Sequence, residues 1–217
     1  GTIARPIVMP SFDASQVSQL AEAAKVELRK RMRSLRTAHP AEALKIRSRA
    51  IVTRAQAMPE FAAARAVALF FPMADRKEVD LRELDAAARA QNKRVYYPFL
   101  EPRGDALVSG LRLTSSLDDL AERGQRFLEP PPEAPQAQRG DIDLIFVPAL
   151  AVAPSGHRLG YGAGFYDSLL PDVCPPARAV AVAYDFQLLV DLPTLPHDVP
   201  CDFVLTDARS FGREGSS

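Results

Sequence analysis

Apolar positions in the first quarter of the chain recur every three or four residues. Val17, Leu20, Ala21, Ala24, Leu28, Met32 and Leu35 share one face of a helix predicted over Ser15–Arg36. His39-Pro40 closes it and opens a second helix that runs to Ala57, with proline at a tolerated first-turn position. The period then changes. Arg65–Phe71 is a nearly continuous apolar run stopped by Pro72, the pattern of a buried strand. Asp80 with Glu83 three residues on reads as a capping box for a helix over Leu81–Gln91, which Asn92 stops. Strands follow at Arg94–Phe99 and Leu107–Leu113. Residues 129–140, EPPPEAPQAQRG, are too rich in proline to pair or pack and read as a loop. Asp143–Val152 is the clearest strand, and Ala177–Tyr184 and Asp202–Leu205 add two more.

Alternation of strand and helix from residue 65 onward predicts an α/β fold. The expected architecture is an open, largely parallel twisted sheet with helices on both faces, a Rossmann-like three-layer arrangement in a single domain. That domain is expected to span residues 14–208, between an N-terminal tail (1–13) and a C-terminal tail (209–217). Both N-terminal helices are expected to pack on the same sheet.

Composition narrows the field. With 217 residues, 47% apolar and 25% charged, the chain can bury a sizeable core, which excludes disorder for most of it. Nineteen prolines cluster in connections and predict long ordered loops. Lys+Arg and Asp+Glu number 27 each, so the net charge is zero. That argues against a polyanion-coating protein but allows a local basic stripe. Two cysteines, Cys174 and Cys201, can build neither a disulfide framework nor a CxxC zinc knuckle, and they read as small apolar residues. A reducing compartment, the cytoplasm, is the expectation. No apolar run approaches the ~20 residues of a membrane span. The opening GTIARPIVMP lacks the charged-then-apolar pattern of a secretory signal. It also lacks an initiator Met, so a processed end is expected.

The most informative stretch is Ser155–Tyr166, SGHRLGYGAGFY, directly after the clearest strand. Gly156, Gly160, Gly162 and Gly164 permit positive φ and close backbone approach, and such a run can aim several N–H groups at one anion. Phe165, Leu169 and Leu170 predict a helix starting near Gly164. Strand, glycine loop and helix N-terminus together make a phosphate site, to which Arg158 adds a permanent charge. The spacing is neither Walker A, which needs GK[ST], nor the dinucleotide GxGxxG. A flexible surface turn is the plain alternative. Asp167 fits either a Mg²⁺ ligand or a carboxylate that stabilises a helix N-terminus.

RLGYGAGFYD resembles the signature of the 5-formyltetrahydrofolate cyclo-ligase (methenyltetrahydrofolate synthetase) family, usually RLGxGxGYYD. Lys25-Val-Glu-Leu-Arg29 is similar to its N-terminal KxxLR element. Phe71–Asp75 with Glu78-Val-Asp80 is similar to the segment preceding its folate-binding Glu. Asp143–Pro148 matches the strand leading into the loop, and His197-Asp198 with Cys201-Asp202 resembles its C-terminal HDxxxD stretch. The resemblance covers about residues 25–207 in order. It implies ATP-dependent cyclisation of 5-formyltetrahydrofolate to 5,10-methenyltetrahydrofolate, with ADP and phosphate released. ATP would be the co-substrate and Mg²⁺ the metal cofactor. By the same resemblance Arg158 and Lys25 act in catalysis, and Lys25, Arg29 and Arg158–Tyr166 bind ATP. That run comprises Leu159, Gly160, Tyr161, Gly162, Ala163, Gly164, Phe165 and Tyr166. Folate would meet Phe71, Glu78, Phe99, Tyr161 and Gly162, and Asp167 and Asp198 would hold the metal. Departures are mild: Phe165 replaces the usual first Tyr, Ala163 stands where relatives often carry Lys or Gly, and Ser168 replaces a frequent Arg. Arg76-Lys77 reads as a short insertion. A nucleotide- or folate-binding paralogue without cyclo-ligase activity is the alternative.

Each constellation also has a plainer reading. Lys25, Arg29, Arg33 and Arg36 share a helix face that could simply be solvated, or could bind nucleic acid; interleaved aromatics are lacking, and nucleic acid is not expected as a partner. Only Lys25 and Arg29 are expected to reach phosphates, the others being ordinary surface. Glu78 could instead be part of a helix-start acidic pair with Asp80, and Asp198 a turn residue. The three histidines lack zinc spacing. The expected partners are ATP and 5-formyltetrahydrofolate, with or without a polyglutamate tail, and the expected form is a monomer away from membranes.

Overall fold

The computed structural model describes residues 13–124 and 127–213. The expected N-terminal tail therefore lies outside the described residues except for Asp13, which caps helix α1 (Ala14–Ala38). Its carboxylate accepts the Gln16 N–H at 2.8 Å while the Gln16 side chain accepts the Asp13 N–H, a reciprocal cap. Helix α2 (Ala41–Ala57) follows Pro40 and a short α3 (Pro59–Ala63) follows it. Strand β1 (Ala66–Ala68) leads through a turn to α4 (Arg82–Ala90), then to the hairpin β2 (Arg94–Arg103) and β3 (Ala106–Leu113). A small hairpin, β4 (Ala121–Glu122) and β5 (Leu128–Glu129), precedes β6 (Leu144–Pro148). A second one, β7 (Ala151–Val152) and β8 (Arg158–Leu159), precedes α5 (Phe165–Val173). Strands β9 (Arg178–Val182), β10 (Phe203–Leu205) and β11 (Ser210–Gly212) complete the chain.

Seven strands form one sheet in the order β11-β10-β9-β6-β1-β2-β3. The five central strands are parallel, and β3 and β11 join the edges antiparallel. Period-two alternation divides the core. Val67, Val95, Phe146 and Val180 face α2, α3 and α4, while Ala68, Ile145, Ala181 and Val204 face α5. The largely parallel α/β sheet with helices on both faces is the expected one. Among the described residues no helix is long and apolar enough to cross a membrane.

Several expectations are corrected. Helix α1 does not lie on the sheet: Leu28 and Met32 pack against Leu150, Ala151, Ala153 and Leu159 of the β7–β8 hairpin. Its apolar Val17, Leu20 and Leu35 stay exposed, because the face turned inward carries Lys25 and Arg36. The proline-rich stretch does pair: the Leu113 N–H donates to the Pro135 carbonyl at 2.9 Å, and the Ala137 N–H to that of Leu111 at 2.8 Å. Asp80 and Glu83 form no capping box. Asp80 instead accepts from the Arg82 N–H and guanidinium, and Glu83 pairs with Arg49. Asp143–Val152 is two strands, β6 and β7, parted after Pro148. Residues 210–212 are no tail, since β11 pairs with β10 and carries the domain to Gly212.

Candidate active site

The parallel strands β1 and β6 end at Ala68 and Pro148, and beyond those carboxyl ends lies a cleft. This is where open α/β sheets place ligands. It encloses about 1150 Å³ including its open mouth. Phe71, Pro148, Glu78, Asp198, Lys25 and Arg29 line it, together with every residue from Arg158 to Asp167.

The glycine loop reaches the cleft by a detour, since the β7–β8 hairpin separates it from β6. Gly156 belongs to that hairpin and not to the cleft. At φ 82°, a Cβ there would sit 2.2 Å from the Cys201 carbonyl oxygen, so only glycine fits. Strand β8 then delivers Arg158 to the cleft. Gly162 (φ 100°) and Gly164 (φ 67°) let the backbone turn left-handed, and Gly164 caps α5. The first bond into that helix runs from the Ser168 N–H to the Gly164 carbonyl. Helix geometry therefore leaves the N–H groups of Phe165, Tyr166 and Asp167 without intrahelical acceptors, at a dipole end that favours anions. Helix α1 clamps the loop from behind. Arg29 Nε donates to the Gly160 carbonyl at 3.0 Å and Arg33 Nη2 to that of Tyr161 at 3.4 Å.

Two ion pairs cross the cleft floor. Arg158 Nη2 donates to Asp167 Oδ1 at 3.0 Å, and its side chain is only 4% exposed. Lys25 Nζ donates to Asp198 Oδ2, which also accepts the Leu195 N–H at 2.7 Å. Burial pushes the Asp198 carboxyl up, but Lys25 and the Leu195 N–H outweigh it and hold it below the usual range. The Val199 N–H, next along the chain, donates to Asp167 Oδ1 at 3.2 Å. Among the described residues no group of three or more His, Cys, Asp or Glu could hold a metal by itself. Asp167 and Asp198, both on the cleft lining, are the ligand type that Mg²⁺ takes when shared with nucleotide phosphates. His197 is exposed, its Nε2 3.8 Å from Asp198 Oδ1.

Glu78 faces the cleft from the turn after β1. Arg76 and Lys77 lie in that turn: Lys77 is left-handed (φ 49°), and its ammonium donates to the Thr37 and His39 carbonyls at 2.7 and 2.9 Å. This anchors the turn to the end of α1 and fixes Glu78 inward. Its carboxylate accepts the Met73 N–H at 2.8 Å. Burial raises its pKa above the ordinary carboxylate value, against the Met73 N–H, the nearby Tyr161 hydroxyl and the charges of Arg36 and Arg76.

Residues 21–207 match the 5-formyltetrahydrofolate cyclo-ligase family. The chain belongs to this family. A 5-formyltetrahydrofolate cyclo-ligase of Mycolicibacterium smegmatis is 50% identical over 82 residues, covering 38% of this chain and 42% of that protein. A mitochondrial one of Arabidopsis thaliana is 33% identical over 134 residues, covering 52% of this chain and 47% of that protein. These alignments thus span less than half the length of either relative. The solved structure of Aquifex aeolicus 5,10-methenyltetrahydrofolate synthetase superposes with a TM-score of 0.75 at 31% identity, covering 89% of this chain and 95% of that one.

Of the family-like positions, Lys25, Arg29, Phe71, Glu78, the run from Arg158 to Asp167, and Asp198 meet in the one cleft. Phe99 does not. It is 1% exposed, stacked beneath the Arg112 guanidinium at 3.7 Å, and the alternation of β2 turns Pro98 to the cleft instead. Phe165, in place of Tyr, meets the rings of Phe127 and Tyr166 at 5.6 and 5.0 Å, a hydrocarbon wall. Sequence reasoning missed Arg36, taken for ordinary surface. It is 2% exposed and donates to the Tyr161 hydroxyl. Its signal was present: it lies on the same helical stripe as Lys25, Arg29 and Met32. Arg76, over the Tyr161 ring at 4.3 Å, was also missed.

Proposed function

We propose that the protein converts 5-formyltetrahydrofolate and ATP to 5,10-methenyltetrahydrofolate, ADP and phosphate. The observation that carries this reading is the meeting of the glycine loop, Lys25, Arg29, Arg158 and the buried Glu78 around one cleft. One end offers donors for phosphates, and the other a carboxylate for a pterin edge. Family membership and the likeness to a methenyltetrahydrofolate synthetase support it.

A formyl amide oxygen is a poor leaving group. Its attack on the γ-phosphorus, with ADP departing, makes it a phosphate ester. N10 then bonds to the activated carbon and loses its proton, and phosphate leaves with the old C–O electrons. Such a transfer needs positioning and charge neutralisation and no protein nucleophile. The α5 N-terminus and the loop amides would hold the triphosphate. Lys25 and Arg158 would exchange their carboxylate partners for phosphate oxygens. The two carboxylates so released, Asp167 and Asp198, would hold Mg²⁺, which supplies neutralisation of the phosphate charge when bound. Glu78 would accept two N–H bonds from the pterin 2-aminopyrimidinone edge.

The test is a mixture of purified protein, Mg²⁺, ATP and 5-formyltetrahydrofolate, followed by the methenyl chromophore and released phosphate. Equal amounts of both products are expected. Binding of both substrates without methenyl product would leave a paralogue that does not cyclise folate.

A further inference from the structure

A second pocket adjoins the cleft and shares Tyr161 and Arg76 with it. Arg33, Arg36, Thr37 and Asp75 complete its wall, and it encloses about 620 Å³ including its open mouth. The guanidinium carbons of Arg33, Arg36 and Arg76 stand 5.7, 5.6 and 4.3 Å from the centre of the Tyr161 ring. Among the described residues none of these arginines pairs with a carboxylate. Arg36 is 2% exposed. Its Nη2 donates to the Tyr161 hydroxyl, and its Nε has no partner among the described residues.

We propose that this pocket is a second anion site, which takes a phosphate group, free or carried on a small molecule. The site is separate from the nucleotide cleft and stands whether or not the cleft carries the proposed reaction.

Packing alone does not account for the arrangement. Cations gathered around one ring repel one another, and the ring offsets each by only about 0.5–2 kcal/mol. At an exposed rim, where Arg33 lies, water and salt would deal with that repulsion. Arg36 has no such help, because it is sealed at the floor. A buried guanidinium with an unspent donor is costly, and an apolar side chain would dock α1 without that cost. Phosphate oxygens match the planar forks of guanidinium groups, and Thr37 adds a hydroxyl donor at the rim.

The groups that oppose an anion are outweighed. Asp75 stands at the exposed rim, and Glu78 draws on Arg36 and Arg76 from the cleft side. Against these two carboxylates stand the three arginines and Lys77. The C-terminal end of α1 would repel an anion, but the Lys77 ammonium already covers its Thr37 carbonyl at 2.7 Å. Arg33 and Arg36 also hold Tyr161 of the glycine loop, by its carbonyl and its hydroxyl. An occupant would therefore bear on that loop from outside the cleft.

The experiment titrates inorganic phosphate by calorimetry, at low ionic strength, into the parent protein, an Arg33→Gln/Arg36→Met double variant and Arg158→Ala. Circular dichroism first shows each folded. Neither Arg33 nor Arg36 lines the cleft. The parent is expected to bind phosphate at two sites. The double variant should weaken one of them by about tenfold or more, the scale of lost hydrogen bonds to a charged group. Arg158→Ala should weaken the other. Glycerol 3-phosphate in place of phosphate tells the source: tighter binding at this pocket marks a group carried on a small molecule, and binding no tighter marks the free ion. If the double variant does not fold, the parent is treated with phenylglyoxal, which modifies arginine. Saturating phosphate should then protect Arg33 and leave Arg31, on the same helix, unprotected, as read by mass spectrometry. A single phosphate site, lost with Arg158→Ala and kept by the double variant, would overturn the proposal, as would equal modification of Arg33 with and without phosphate. A single site kept by Arg158→Ala and lost in the double variant would uphold this pocket and count against the cleft as the nucleotide site.

Discussion

Lys25 and Asp198, 173 positions apart in the chain, close an ion pair whose side chains are only 6% and 11% exposed. Removing the lysine alone strands a buried carboxylate. Lys25→Met should lower stability by about 2–3 kcal/mol, read by urea unfolding. Adding Asp198→Asn should restore most of that loss while turnover stays lost, a non-additivity that a double-mutant cycle measures. Full additivity in stability would mean that the pair is not coupled.

Arg158 stands between Asp167 and the loop. Arg158→Ala should lower kcat/KM by about 10²-fold or more, as does removal of one preorganised donor to developing charge. Unchanged kinetics in a folded variant would take Arg158 out of the chemistry.

Gly156 and Gly160 should respond differently to alanine. At Gly156 the added Cβ would meet the Cys201 carbonyl at 2.2 Å, in a left-handed conformation. Gly156→Ala should cost more than about 2 kcal/mol of stability, combining that strain with the clash. At Gly160 the nearest neighbour would be the Arg158 guanidinium at 3.4 Å, so Gly160→Ala should fold normally. Thermal melts of the two variants check this.

Much of the fold was legible because its core strands are short apolar runs. β6 and β9 could be read from sequence, and the glycine loop announced itself by spacing. What stayed hidden was decided by tertiary contact. On α1 the periodic Val17, Leu20 and Leu35 point to water, while Lys25 and Arg36 are buried. No hydropathy pattern says that a charged stripe will face a cleft lined with carbonyls and carboxylates. Phe99 was assigned to the cleft because the register of β2 cannot be known until β3 pairs with it. Asp80 and Glu83 had the spacing of a capping box, but nearby arginines competed for both carboxylates.

Burial pushes the Cys201 thiol up to about 11 and the Cys174 thiol up to about 12. At pH 8 almost no thiolate exists on either residue, and the thiolate is the reactive form. Neither cysteine should alkylate with iodoacetamide in the native protein, and both should react in urea. Rapid native modification, read by mass spectrometry, would contradict this packing.

Asp185 accepts from the Thr206 hydroxyl at 2.7 Å and from the Arg209 guanidinium at 2.9 and 3.0 Å. Burial raises its pKa, but these bonds and the charges of Arg209 and Arg47 lower it further, below the usual value. A depressed folded pKa gives stability that is present above the unfolded value, about 3.9, and is lost as pH falls through the folded one. Asp185→Asn should therefore cost about 1 kcal/mol at pH 7, and the deficit should close below about pH 4. A gap that stays constant down to acid pH would assign the loss to shape and not to charge.

Helix α1 is fastened to the body in part by Lys25 and Arg29, which also line the cleft, with Met32 and Arg36 beside them. Its hold and the readiness of the pocket are consequently one equilibrium. Whatever fills the pocket must also tighten the clasp, so the amides of this first helix become a gauge of occupancy. Their deuterium uptake should slow when nucleotide arrives, well before any product can form.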